Sequence, residues 1–480
     1  MQYQTFFRSL SLLAIVILCG VNAHADRIEL PELGTSSSVI ISVEQERQLG
    51  QAWLRSFRRQ SDLSEDYITQ EYIENLLFSM VPNAGLADNR LDVLVVQNPT
   101  LNAFAVPGGI VGVHTGLMLH AQTEDQLSSV LAHELVHLSQ RHFARSVAAQ
   151  KGNTITSMAG LLAGVILAAT AGGEAGLAVL SATQAATLQS QLKYSRQNEQ
   201  EADRLGMEVL IQSGRDPAAM KGMFEQMLKT TRFTGFQVPE YLRTHPLTEN
   251  RVNDAGNRAR RYDQQDYYVN PDYRIIQTRV RVAGASSPQF AVREFSAAFK
   301  ESKSMADQYG LALAHHRAFN IDDALIESYD LHKKHPDNQF VTLLYADILG
   351  DAGRANESEK MLKSELQYKP KSYALNMALA EAYTHQSKFE DAAEIYRTQT
   401  KLRPNDALVW YEYAETLGLA GDILELHKAR AQYFIHVGAF QRAIRQLQYA
   451  KREVEGNPIE LAILDRKISE AAQLQSEASF

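Results

Sequence analysis

His133-Glu134-Leu135-Val136-His137 sits inside the stretch that decides the reading, between Thr123-Glu124-Asp125-Gln126 and a downstream Asn198-Glu199-Gln200-Glu201-Ala202-Asp203. Thr123 with Gln126 three residues on is a capping-box start, and Leu127, Val130, Leu131 and Leu138 recur at helical spacing, so the five-residue motif falls in the middle of a helix. Residues four apart share a helix face. His133 and His137 can therefore offer two imidazole nitrogens to one metal ion, with Glu134 beside them as the base for a water. Chance alone can supply such a short pattern, so the rest of the site has to be found elsewhere in the chain.

A catalytic zinc takes a third protein ligand and keeps one position open. Around Asn198 to Gly206, Glu199, Ala202, Asp203 and Gly206 fall on one helix face. Ala202 and Gly206 would let that helix approach the first closely, which makes Glu199 the third ligand. Asp203, one turn on, is placed to accept the second ring N–H of a ligating histidine. An acidic surface stretch accounts for Gln200 and Glu201 but not for Ala202 and Gly206. His142, five residues past His137, falls off the ligand face, and His114 and His120 read as structural.

Outward from the motif, DVLVVQ (92–97), NAFAV (102–106) and IVGVH (110–114) read as strands, with Asn98-Pro99 and Pro107-Gly108-Gly109 as turns. A small antiparallel sheet is expected. Residues 154–183, rich in Ala and Gly and broken at Gly172-Gly173, read as a helical hairpin, with a lid or membrane-contacting element as the alternative. A helix over roughly 185–212 should stop at Gly214.

Beyond about residue 270 only helical patterns remain. Pro336, Pro370 and Pro404 recur every 34 residues, as do Ala312, Ala346 and Ala380, and Ala324, Ser358 and Ala392. That is the period of tetratricopeptide repeats, whose stacked helix pairs form protein-binding solenoids. After Ala414 the next small-residue match is Ala431, 17 residues later, which predicts an inserted or lost half-unit. The expected fold is α+β and mainly helical: a signal peptide over 1–25, a zincin-like peptidase domain over 26–270 and an all-α repeat domain over 271–480.

Composition agrees. The 480 residues are 45% hydrophobic and 22% charged, as in ordinary globular chains. Arg8, the apolar run Leu10 to Leu18 and Ala23-His24-Ala25 form a secretory leader with a cleavage site. Cleavage there leaves 47 Lys+Arg against 56 Asp+Glu, and an acidic chain of net charge −9 is a poor nucleic-acid binder. Cys19, the only cysteine, leaves with the leader, so only His, Asp and Glu remain as ligands.

HELVH, the NEQEAD stretch and Thr244-His245-Pro246-Leu247 with Arg251 beyond resemble the motif set of the CAAX prenyl protease and HtpX class of zinc metallopeptidases. With a leader in front and repeats behind, the chain is similar to the soluble branch of that class, the periplasmic beta-barrel assembly-enhancing proteases. The resemblance implies one zinc ion held by His133, His137 and Glu199, with Asp203 as its partner carboxylate. It also implies that His245 contacts the site, either as a further ligand or as a donor to the oxyanion. Arg251 reads as a site residue or as one half of a structural ion pair. The implied activity is endopeptidase action on misfolded or stalled outer-membrane proteins in the periplasm, with the barrel assembly machinery as partner and a chaperone role beside it. The substrate is expected to lie along the strand at Asn102 to Ala105. The alternative is a repeat-based binding module carrying a repressed protease domain.

Overall fold

The computed structural model describes residues 41–149, 196–233, 239–262, 266–454 and 456–477. The expected leader (1–25) and the 154–183 hairpin lie outside the described residues. Among those described, no helix is long and apolar enough to cross a membrane.

The first half is built from helices around a small sheet. Helix α1 spans Val43–Gln60 and α2 spans Tyr67–Phe78; strands β1 (Asp92–Val96), β2 (Ala103–Val106) and β3 (Ile110–His114) follow. Next come α3 (Thr115–His120), α4 (Glu124–Ser139), α5 (His142–Ala149), α6 (Arg196–Gln212), α7 (Ala218–Phe233), the short α8 (Glu240–Thr244) and α9 (Glu249–Ala259).

The sheet is not wholly antiparallel. Its order is β1-β3-β2, with β2 antiparallel to β3 through the Pro107-Gly108-Gly109 turn, while β1 runs parallel to β3. Both turn glycines have positive φ (87° and 84°), the region glycine enters without a Cβ penalty. The parallel pairing arises because Asn98 does not turn the chain back onto β1. Its carbonyl accepts from the Gly116 N–H (2.8 Å) and the Thr115 hydroxyl (3.0 Å), which ties the end of β1 to the end of β3. The chain then crosses to the far side of β3 before starting β2.

Thr123 caps α4 by accepting from the Gln126 N–H, but the Gln126 side chain accepts from the Gln122 N–H at 2.7 Å rather than from the cap residue. Every α4 residue from Gln126 to His137 is buried, because β2, α6 and α7 all pack on it.

The second half is helical throughout: α10 (Asp272–Ala283), α11 (Pro288–Ser302), α12 (Met305–Arg317), α13 (Ile321–Lys334), α14 (Gln339–Asp351), α15 (Ala355–Tyr368), α16 (Tyr373–His385), α17 (Phe389–Leu402), α18 (Ala407–Ala420), α19 (Ile423–His436), α20 (Phe440–Glu453) and α21 (Pro458–Glu477). First helices open every 34 residues at Met305, Gln339, Tyr373 and Ala407, and the recurring small residues Ala312, Ala346, Ala380 and Ala414 are buried. The expected half-unit slip is present: Gly438, between α19 and α20, has the positive φ found inside each earlier pair at Phe319, Gly353, Ser387 and Gly421. Ala431 of α19 and Ala443 of α20 are buried with the spacing that Ala312 and Ala324 show in an earlier pair. Helix α19 thus closes one pair and opens the next, the half-unit change that the 17-residue spacing implies.

The two halves share one core. Ile68, Tyr72 and Ile73 of α2 cluster with Leu343 and Ala346 of α14 and with Leu375, Ala378 and Leu379 of α16. Polar clamps surround that contact. Asp66 receives two bonds from Arg279 (2.6 and 2.8 Å), Glu71 accepts from the Ser372 hydroxyl at the start of α16 (3.0 Å), and Glu74 accepts from Arg403 (2.7 Å).

Candidate active site

Helices α4 and α6 meet at close range because Gly206 faces the α4 backbone. A Cβ there would lie 3.3 Å from the His133 nitrogen and 3.4 Å from the Ala132 carbonyl carbon, tighter than side-chain contacts normally run. Ala202 is fully buried beside it. This contact brings Glu199 and Asp203 up to the two motif histidines, while the turn after α8 lays His245 over them.

His133, His137, Glu199 and His245 each offer one ligand atom, all within 4.8 Å of one another, and all four side chains are buried. Nε2 of His133 is 3.0 Å from Nε2 of His137 and 3.3 Å from Nδ1 of His245. Glu199 places Oε1 3.5 Å from His137 Nε2 and 3.1 Å from His245 Nδ1, with Oε2 3.6 Å from His133 Nε2. Imidazole nitrogens facing one another at this range repel unless a proton or a cation lies between them, and an N/N/O donor set without thiolate suits a zinc-type ion. The residues fit the group.

Outer partners fix the ligands. Asp203 Oδ1 is 3.0 Å from His133 Nδ1, which leaves the Nε2 lone pair turned to the centre. Arg251 in turn holds Asp203 and reaches Glu199 Oε2 at 2.9 Å and the Pro246 carbonyl at 2.9 Å, its guanidinium lying over the Phe224 ring. Burial works against charge on Asp203, but Arg251 and His133 outweigh it and hold the carboxyl below its usual range. Burial likewise opposes charge on His133, yet Asp203 and Glu199 push its imidazole up to about 9.

Glu134 is fully buried, and neither carboxylate oxygen has a hydrogen-bond partner among the described residues; His245 Nε2 is 3.6 Å from Oε1. An uncompensated buried carboxylate is costly, and such groups mark functional sites. The short α8, which leads into His245, is pinned to the segment just before β2, with the Tyr241 N–H 3.4 Å from the Leu101 carbonyl. β2 is the sheet edge beside α4.

All residues singled out from the sequence thus meet at one point, and Arg251 pairs with two of them. Two more belong there that the helical-face argument left out. His142 is fully buried with Nδ1 2.8 Å from Nδ1 of His137, and its Nε2 is 3.2 Å from Glu201 Oε2. Arg141 explains this: its φ of 49° ends α4 in a tight turn that folds His142 back over His137. Nothing in the sequence marks that positive φ, because Arg141 is not the glycine that usually supplies it.

Residues 67–259 match Peptidase family M48, and residues 349–415 match a tetratricopeptide repeat family. The putative beta-barrel assembly-enhancing protease of Vibrio cholerae is 33% identical over 97% of both chains. The beta-barrel assembly-enhancing protease of Escherichia coli (strain K12) is 32% identical over 94% of this chain and 93% of its own. The mitochondrial metalloendopeptidase OMA1 of Schizosaccharomyces pombe is 30% identical over 38% of this chain and 51% of its own. With two relatives matched along nearly their whole length, a peptidase match across the site and a repeat match behind it, the chain belongs to peptidase family M48 and is a metalloendopeptidase with tetratricopeptide repeats.

Proposed function

We propose that this chain is a periplasmic zinc endopeptidase that degrades misfolded or stalled outer-membrane proteins and assists their assembly. The names of its relatives, which refer to beta-barrel assembly, support the substrate class and the assembly machinery as partner. Residues 26–270 carry the chemistry and 271–480 the repeats. The observation that carries the reading is the convergence of four ligand atoms beside a buried carboxylate that has no hydrogen-bond partner among the described residues.

His133, His137 and Glu199 would hold the zinc, and Asp203 would fix His133 in the tautomer that binds. The ion supplies Lewis acidity, polarising a peptide carbonyl and acidifying a water. Glu134 takes the water proton on a carboxylate oxygen and delivers it to the leaving amine. A peptide laid along the β2 edge at Asn102 to Ala105 would present its carbonyl to the centre in a fixed register. His245 lies among the ligand atoms and next to Glu134, which supports a role as a fourth ligand holding the site latent; an oxyanion donor is the second reading. Zinc analysis of the purified protein, together with cleavage of an unfolded protein substrate by wild type and by Glu134→Gln, tests this. Zinc-free protein, or cleavage unchanged by the substitution, would sink it. A binding module with an idle protease domain would keep its cellular function with Glu134→Gln.

A further inference from the structure

We propose that His142 and Glu201 form a positioning pair that fixes His137 in its metal-binding tautomer, as Asp203 does for His133. The inference rests on the metal reading of the site given above. Nε2 of His137 faces the centre, 3.0 Å from His133 Nε2 and 3.5 Å from Glu199 Oε1, so its lone pair is the one a metal would use. The His137 ring proton must then sit on Nδ1. That atom is 2.8 Å from Nδ1 of His142, and two ring nitrogens at this range need exactly one proton between them. His137 Nδ1–H therefore donates to an unprotonated His142 Nδ1, which leaves the His142 proton on Nε2. Nε2 lies 3.2 Å from Glu201 Oε2, a carboxylate that can only accept, and Arg145 Nη1 holds the same oxygen at 2.8 Å.

Every proton in this chain is determined by the next group outward. It begins at a partly exposed carboxylate and ends at the ligand lone pair. Each ligand of the motif is thus oriented by a carboxylate of α6: His133 directly by Asp203, which Arg251 of α9 holds, and His137 through His142, which the turn at Arg141 brings between it and Glu201. Outer partners of this kind typically contribute 10–100-fold to metal affinity or activity. A histidine kept only for packing would have no reason to point one nitrogen at the ligand and the other at a carboxylate.

The test is zinc affinity of the full-length protein, measured by competition with a chromogenic chelator, together with the visible spectrum of the cobalt-substituted form. His142→Ala is expected to weaken zinc binding by about 10–100-fold and to shift the cobalt bands. His142→Asn, whose amide oxygen can stand near the position of Nδ1, should recover most of the affinity. Glu201→Gln changes a partly exposed side chain and keeps the fold accessible should His142→Ala fail to fold; it is expected to weaken zinc binding in the same direction by a smaller factor. Zinc held as tightly by Glu201→Gln and by folded His142→Ala as by wild type, with unshifted cobalt bands, overturns the pair and leaves the metal reading standing. Wild-type protein that binds no zinc overturns both.

Discussion

Arg251 and Asp203 meet in a buried two-pronged ion pair, Nε to Oδ2 at 2.6 Å and Nη2 to Oδ1 at 2.7 Å. Removing one partner of a buried pair leaves the other charge without compensation and costs about 3–5 kcal/mol. Arg251→Ala should therefore lower the thermal midpoint clearly and weaken zinc binding, since Asp203 and Glu199 both lose their anchor. Lysine cannot reproduce the fork and should rescue only part of the loss. Equal midpoints for wild type and Arg251→Ala would show that the pair is dispensable.

Glu134→Gln should reduce peptide hydrolysis by at least about 10²–10⁴-fold, the usual share of a general base. It should leave zinc content unchanged and not lower the thermal midpoint, because a buried amide costs less than a buried carboxylate without a hydrogen bond among the described residues. A variant that loses its zinc would place Glu134 among the ligands instead.

His245→Ala distinguishes the two roles open to that residue. If it holds the site latent, cleavage should rise by about tenfold, the factor for about 1.4 kcal/mol of closing contact. A fall in cleavage at unchanged zinc content would instead mark an oxyanion donor.

Glu381 gives the prediction for pH. Burial and the nearby Asp347 carboxylate push it up to about 8, against a 2.8 Å hydrogen bond from Tyr67 that favours its charged form. An acid raised in the folded state contributes stability that is complete below its unfolded value, about 4.3, and is lost as pH rises toward 8. The midpoint of wild type should decline across that window, and Glu381→Gln should flatten the decline and be the more stable form at pH 8. Parallel curves for the two proteins would rule out this source of pH dependence.

The site was legible wherever helical spacing carries the information. Glu199 and Asp203 could be placed because Ala202 and Gly206 share their face, and the Gly206 contact with the His133 backbone is the close approach those small residues imply. His142 was not legible, since its return to His137 depends on the positive φ of Arg141 and on contacts from Arg141 to Glu46 and Ile41, nearly a hundred residues earlier. The three strands followed from alternation and turn residues. The parallel partner of β1 did not, because Asn98 is held by Thr115 and Gly116, and strand pairing of that kind leaves no local pattern. The repeats were legible by period, and Ala431 and Ala443 also marked the change of phase after Ala414, because each sits buried where paired helices pack closely.

The seating of α2 against α14 and α16 has a consequence for the order in which the molecule is made. A chain is synthesised from its N-terminus, so Tyr72 and Ile73 emerge some three hundred residues before Leu375 and Leu379, the side chains that cover them. Until then an apolar face of the protease stays bare. Its catalytic half is born first and finished last, and a message cut short before the repeats would yield a protease that never closes its own core.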